Sequence, residues 1–547
     1  MKLPVKILFI AAIFLAGAFA SAQDADYQGS RLVKTGSGVY DSVDYLSVLS
    51  GETTLLSHTP ASTREILEAL DSLRDSASFP GVAALEASIR SALSPEKPLI
   101  AVGSGPSLAS FSVEPSARLS LASPLSTSNL LAADLLRISN DTEPAINVPI
   151  ALAFGDWVSC RSEFTAGKGY WASTQSGAWT NAPLTASEAD MNVPTDAWVS
   201  VGNRSFTLAV GRGPLSMGRA ISGSMVLSDS FDRPDWASLS FHSPFFRLYL
   251  LPVELAPNRY TYFHGLSLRP FRNLSIDLSE AASVNAPIDL RYLNPAMIYH
   301  NYAGWRDRAA YGTVNTSPVG TQFGASVEWV PIPGVKVYGQ YAMNQFQTTY
   351  ELSEYSSTAS YIPNSLGGLL GAEWILPAGT GFWVLSAEGS YANPWLYVLE
   401  NGAISYVWAR RELVAPNGHT SEWIYGWTGN PYGPDTVSGV LDVRYDIPFT
   451  RRLGLSYRIV AQGSNGTSFL DNLRESNGTE WYPDTLSQAT IRTPSGKTAV
   501  QHALRLSGAA TLSERLEAEA DLSYYKILGG ADLGNLRGSL ALNVRFR

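Results

Sequence analysis

The chain has 547 residues, of which 16% are charged, 45% hydrophobic and 11% aromatic, and it carries a formal charge of -9. That balance is too apolar for a disordered chain and too interrupted for a bundle of spanning helices, and its acidity excludes nucleic acid as an electrostatic partner. The single cysteine, Cys160, cannot form an internal disulfide, so an exported chain must gain stability in another way, of which closing a large sheet is one.

Residues 1–22 read as a secretory signal. Lys2 and Lys6 precede an apolar run from Ile7 to Phe19, and Ala20-Ser21-Ala22 supplies small residues for cleavage. The mature chain is expected to begin at Gln23, and loss of both lysines takes the charge from -9 to -11. Beyond this segment no stretch reaches the ~20 apolar residues of a spanning helix, so a membrane reading requires a barrel.

Residues 23–97 are expected to form a small periplasmic helical segment. Val43, Leu46, Val48 and Leu49 recur at helical spacing. Ser62-Thr63-Arg64-Glu65 has the form of a capping box opening a helix with Ile66, Leu67, Leu70 and Leu73 inward. A third helix follows Pro80, with Val82, Leu85, Ile89 and Leu93 on one face. These helices either pack as a bundle beneath a barrel mouth or form a loose extension.

Over residues 98–547 the period changes to two, which predicts an all-β, closed antiparallel transmembrane barrel of 18 strands, or alternatively 16. Phe323, Ala325, Val327 and Trp329 alternate with polar or small residues, and after Pro333-Gly334 so do Val335, Val337, Gly339, Tyr341 and Met343. Leu441 to Ile447, Leu453 to Ile459 and Leu516 to Tyr524 repeat the pattern. Runs of nine or more residues suit a tilted bilayer crossing better than a soluble sandwich or propeller, whose strands are shorter. Short turns at Pro331 to Gly334 and Pro377 to Gly381 alternate with long polar segments at Thr348 to Ser365, Asn401 to Ser438 and Asn465 to Lys497. The short ones are expected to be periplasmic and the long ones extracellular.

Several short segments resemble the Wzi-type capsule assembly family of outer-membrane barrels. They are Tyr45-Leu46-Ser47-Val48-Leu49 with Thr63-Arg64-Glu65-Ile66-Leu67, then Gly211-Arg212-Gly213, Gly218 and the run from Gly223 to Asp229. The runs Asp289 to Pro295 and Tyr432-Gly433-Pro434-Asp435 are similar to further landmarks. The resemblance implies an 18-stranded barrel with a periplasmic helical bundle, engaged with surface polysaccharide in the bacterial outer membrane. Outer-membrane lipid and the barrel insertion machinery are then the expected partners. The terminal aromatic usual in such proteins is penultimate here, Phe546 before Arg547.

The residues offer no catalytic constellation, and no enzyme activity, cofactor or metal is expected. The six histidines are scattered without His-Glu-x-x-His spacing, and no Gly-x-Ser-x-Gly elbow occurs. The spacing of Gly211, Gly213 and Gly218 is wrong for a dinucleotide fingerprint. The one cluster with binding chemistry is Trp423, Tyr425, Trp427, Asn430, Tyr432 and Asp435, which joins flat rings for stacking on sugar C–H faces to amide and carboxylate groups for hydroxyls. The same rings could instead belong to a headgroup girdle or pack the loop on itself. Trp305, Arg306, Asp307 and Arg308 form a second polar group, read as a binding site or as a solvated ion network at the rim. Three functions remain open: polysaccharide assembly or attachment, a general porin or passive channel, and an outer-membrane hydrolase with dispersed catalytic groups.

Overall fold

The structure is a computed structural model. It describes residues 28–73, 79, 81–95, 97–104, 107–123, 143–169, 180–192, 194, 196–230, 233–300, 319–346, 364–399, 402–413, 420–464, 492–529 and 533–546. The expected signal lies outside them, as do Trp305, Arg306, Asp307 and Arg308.

Among the described residues, 18 strands follow one another round a closed antiparallel barrel. The first is an interrupted strand, Ala109–Val113 with Ser116–Ala122, followed by Ile146–Phe154, Val158–Lys168, Ala197–Gly202, Phe206–Arg212 and Asp235–His242. Phe246–Ala256, Arg259–Phe271, Leu274–Val284, Val319–Ile332, Val335–Gln345 and Ser365–Ala378 continue the wall. Gly381–Ala392, Thr436–Ile447, Arg451–Gln462, Ala499–Ser513, Leu516–Leu528 and Leu533–Arg545 complete it. The last strand pairs with the first, Leu540 opposite Leu121 and Val544 opposite Ala117, so no edge is left open. Pro115 interrupts the first strand because it has no N–H for the ladder, yet its carbonyl accepts the Phe546 N–H at 2.8 Å.

One end of the barrel carries only short turns, such as Arg272-Asn273, Pro333-Gly334 and Gly379-Thr380. Gly334 has φ of +87° and faces the Ile375 carbonyl, a conformation and a closeness that suit no other residue well. The opposite end carries the long connections. The expected alternation of short and long fails there at Pro257-Asn258, where two strands are joined tightly, with Asn258 at φ of +60°.

The pleat sorts side chains as the sequence period requires. Val327, Trp329, Leu370, Leu441, Leu453 and Leu540 face outward and are 41–67% exposed, forming an apolar belt. Phe245, Phe246, Phe271, Trp329, Trp374 and Trp383 cluster near the short-turn end, where a headgroup girdle belongs. The inward set is polar, as a water-filled lumen would require. Most of it instead meets protein, because Lys336, Gln340, Glu373, Glu388 and Asp446 are all buried.

What fills the lumen at the short-turn end is the N-terminal segment. Its helices are α1 (Gly38–Leu49), α2 (Thr63–Leu73) and α3 (Val82–Leu93). Ser62 and Glu65 close the capping box reciprocally: Ser62 N–H donates to Glu65 Oε2 at 2.7 Å and Glu65 N–H to Ser62 Oγ at 3.2 Å. The three helices share one apolar core with the inward-facing Val330, Ile375, Phe382 and Val384 of the wall. The helices thus pack on one another as a bundle at the short-turn end, with α1 seated against the inner wall.

Candidate functional site at the loop end of the lumen

Two chain segments enter the lumen and meet there. From the short-turn end comes α1, whose Asp44 accepts an ion pair from Lys336 at 2.5 Å and whose Tyr45 hydroxyl donates to Asp446 at 2.9 Å. From the other end comes the segment after Arg212, residues 213–229. Glu388 on the wall accepts the N–H groups of Ile221 and Ser222 at 2.7 and 2.9 Å, and Gln340 Oε1 accepts that of Met225 at 2.8 Å. A two-residue ladder, His58–Thr59 against Ser216–Met217, ties the segments together. Arg219 adds ion pairs to Asp41 and Asp44 at 2.8 and 3.5 Å.

The electrostatics of α1 follow from this company. Burial alone would raise the Asp41 carboxyl, but Arg444, Arg219 and Arg452 bring it down to about 2. Asp44 is also lowered, with burial opposed by Arg219 and Lys336. Both helix carboxylates are anions held by cations from the wall and from the second segment. Along the wall beside Arg452, the partner of Asp41, Ser120, Arg452, Arg505, Glu519, Asp521 and Ser539 line a polar cavity of about 260 Å³.

Above the two segments sits the loop joining Gly381–Ala392 to Thr436–Ile447. It contains a hairpin of its own, Val407–Leu413 paired with Ser421–Trp427, where the sequence reading had only a long polar connection. The signal was present in the alternation of Trp423, Tyr425 and Trp427, which places the three rings on one face. That face turns into the body of the loop. Tyr425 and Trp427 are buried with Trp395, Tyr397, Tyr406 and Trp408 against Met225 and Leu227, while Trp423 is half-buried at the margin of this cluster. Trp423 and Tyr425 have ring centroids 6.5 Å apart.

The remaining members of the sequence-derived cluster hold the loop together. Asn430 Oδ1 accepts the Tyr432 N–H at 3.1 Å, and Gln462 donates to the Tyr432 carbonyl at 2.9 Å. Asp435 accepts the Ser495 N–H at 3.0 Å and its hydroxyl at 2.5 Å, which joins two long connections. Asn430, Tyr432 and Asp435 are each at most 1% exposed. The structure thus brings all six residues into one body and leaves Trp423 as the most accessible.

Missed by sequence reasoning were Tyr397 and Tyr406. Tyr397 donates to the Met225 carbonyl at 2.6 Å and accepts the Asn430 N–H at 2.8 Å, and the Tyr406 hydroxyl reaches the Gly320 carbonyl at 3.0 Å. Burial pushes both phenols above their ordinary range, so they stay protonated donors. Nothing in the local spacing of these tyrosines marks them as keystones, since each makes a contact more than 80 positions away.

Among the described residues no group of three or more His, Cys, Asp or Glu is placed to hold a metal ion. His58 pairs with Asp277 at 3.2 Å, His242 with Glu68 at 3.4 Å and His264 with Glu280 at 3.1 Å, each as a separate contact.

No family model matches the sequence, and no curated protein matches it. Solved structures do resemble the fold. Wzi of Escherichia coli, described as an outer membrane protein involved in group 1 capsule assembly and a carbohydrate-binding β-barrel, matches with a TM-score of 0.57 at 12% identity, covering 94% of this chain and 99% of that chain. OprD of Pseudomonas aeruginosa matches with a TM-score of 0.39 at 8% identity over 80% of this chain and 96% of its own. The outer membrane channel DcaP of Acinetobacter baumannii gives 0.36 at 11% identity over 82% and 100%. The chain therefore has the fold of an outer-membrane β-barrel.

Proposed function

We propose that this protein is an outer-membrane barrel that attaches or helps to assemble surface polysaccharide at its long-loop face, and that it is neither an open pore nor an enzyme. The observation that carries this reading is the occupied lumen: α1 and residues 213–229 meet inside the barrel and are fixed to its wall by Asp44, Glu388 and Gln340. Such a crossing closes off an open diffusion pore, whereas a barrel that presents a rigid outer surface is braced by it. The fold likeness to Wzi supports the same reading, with carbohydrate binding a property of that protein carried over here as part of the proposal.

In this reading residues 1–22 are removed on export and the insertion machinery places the mature chain in the outer membrane. Residues 23–97 then lie on the periplasmic side, residues 98–547 form the barrel, and the long loops face outward. Trp423, Tyr425, Trp427, Asn430, Tyr432 and Asp435 form the polysaccharide site, with Trp423 as the stacking ring and the other five holding it in place. Deleting the gene should release polysaccharide from the cell surface into the medium. Unchanged cell-associated polysaccharide would sink the reading.

The polar cavity in the wall favours a second reading, a narrow passive channel at Arg452, Arg505 and Asp521. A steady conductance that survives substitution of Trp423 would select it.

A further inference from the structure

The strands Arg259–Phe271 and Leu274–Val284 carry something unusual on their outer face. Leu266, Leu268 and Leu278 point outward and are 37–46% exposed, while Ser267, Arg269 and Asp277 between them point into the lumen. By the same alternation Tyr262, His264, Glu280 and Ala282 also point outward, and His264 sits directly opposite Glu280 in the ladder. Yet Tyr262 and Ala282 are fully buried.

They are covered by the connection that leaves the second strand. Residues 285–300 fold back down the outside of the barrel, with a single 3-10 turn at Leu290–Leu293. Tyr292 stacks on Tyr262 at 5.3 Å between centroids, and Tyr299 packs edge-on to Tyr292 at 5.4 Å. The outward polar groups of the wall bind the backbone of this segment. Glu280 accepts the N–H groups of Tyr299 and His300 at 2.7 and 2.6 Å, the Tyr262 hydroxyl accepts that of Asp289 at 3.0 Å, and His264 Nδ1 meets the Pro295 carbonyl at 2.9 Å. Within the segment the Tyr299 hydroxyl donates to the Tyr292 carbonyl at 2.6 Å, and Arg291 pairs with Asp289 at 2.5 Å.

Height decides what this segment meets. A tilted strand climbs roughly 2.5 Å per residue along the barrel axis, and the apolar band of an outer-membrane barrel is about 25 Å tall. Counting from the girdle at Leu274 and Trp329, Glu280 stands about 15 Å up and Ala282 about 20 Å up, both within the band. Irregular backbone survives at hydrocarbon depth only when its polar groups are satisfied by protein. Here the wall supplies partners for the N–H groups of Asp289, Tyr299 and His300 and for the Pro295 carbonyl, and the side chains left facing away from it include Ile288, Leu290 and Ile298, 61%, 78% and 61% exposed, beside the polar Asn285, Asn294 and His300.

We propose that residues 285–300 are a membrane-seated clasp, an irregular segment held against the outer wall by Tyr262, His264 and Glu280, which presents Ile288, Leu290 and Ile298 to the acyl chains of the surrounding lipid. The occupant is lipid because the three side chains continue the apolar belt of Leu266, Leu278 and Phe323 upward, and the charge of Glu280 is turned into the clasp. The clasp widens the lipid contact of the wall on the side of these two strands.

The test places a nitroxide at Leu290→Cys and at Ile298→Cys, each in a Cys160→Ser background of the full mature chain, refolded into phosphatidylcholine vesicles. Leu278→Cys serves as the lipid-facing reference and Ser187→Cys, exposed at the long-loop end, as the water-facing one. Both clasp labels should collide with oxygen and be shielded from a water-soluble nickel chelate, as the Leu278 label is. Labels that meet the chelate as freely as the Ser187 label would overturn the clasp. Labels shielded from both reagents and broadened by a neighbouring spin would overturn the lipid assignment in favour of a second copy. A Leu278 label in water would sink the membrane reading itself and is thereby distinguishable. Glu280→Gln should shift the Leu290 label toward water while the barrel keeps its heat-modifiable mobility, and an unshifted label would overturn Glu280 as the anchor.

Discussion

Arg219 and Asp41 form an ion pair at 2.8 Å although they enter the lumen from opposite ends and stand 178 positions apart. Their contact joins the N-terminal helix to the segment after Arg212 and makes one plug of two insertions. Asp41 reaches Arg452 of the wall at the same distance, so the plug is tied to the barrel where it is tied to itself.

Lys336 and Asp44 are a buried pair in this plug, with side chains 4% and 7% exposed. Removing one member of such a pair leaves a buried charge uncompensated, at a cost of about 3–5 kcal/mol. Lys336→Ala should therefore loosen α1 and raise single-channel noise, while Lys336→Met combined with Asp44→Leu should come close to the parent. Planar-bilayer recording of the three proteins checks this, and a double variant noisier than the single would refute it.

Acid should act through the same carboxylates. Asp41 is ordinarily near 3.8 and is held at about 2 in the folded protein, and Asp44 is lowered in the same direction. A depressed folded value means the contribution is complete above about pH 4 and is lost as pH falls toward 2. Protease access to the N-terminal segment should stay flat from neutral pH to about 5 and rise below 4. A rise near pH 6 instead would point to a histidine and away from Asp41.

The barrel is legible in the sequence because its outer wall obeys one rule over many residues: alternation holds from Phe323 to Trp329 and from Leu516 to Tyr524 whatever lies inside. Ser62 and Glu65 are legible for a similar reason, since a capping box is local. The plug is not. Residues 213–229 have no period, and Glu388 and Gln340, which hold them, look like any other lumen-facing polar residues on their strands. The rings of the loop hairpin were visible as a group, but which of them turn inward depends on Tyr397, Tyr406 and Met225, brought together only by the closed fold.

Gly433 tests the loop body. Its φ is +74°, and a Cβ there would stand 2.1 Å from Trp427 Nε1. Gly433→Ala should displace Trp427 and cost about 1–3 kcal/mol locally, read as faster proteolysis of the loop in an otherwise heat-stable barrel. Unaltered proteolysis would mean the loop is not packed as described.

Trp423 separates binding from folding. Trp423→Ala should leave the barrel intact and weaken retention of the producing cell's own surface polysaccharide about tenfold, the scale of one lost aromatic anchor. Binding of the purified polysaccharide to protein in detergent checks it. Full retention would remove this ring from the proposed site.

The most direct test of a plugged transmembrane barrel is the conductance of the purified mature chain in planar bilayers, after a gel shift on heating has shown that it is folded. Insertion with little steady current, and a large current only when the contacts of Asp44 and Glu388 are removed together, is the expected result. A large, constant open pore from the unaltered chain would contradict it.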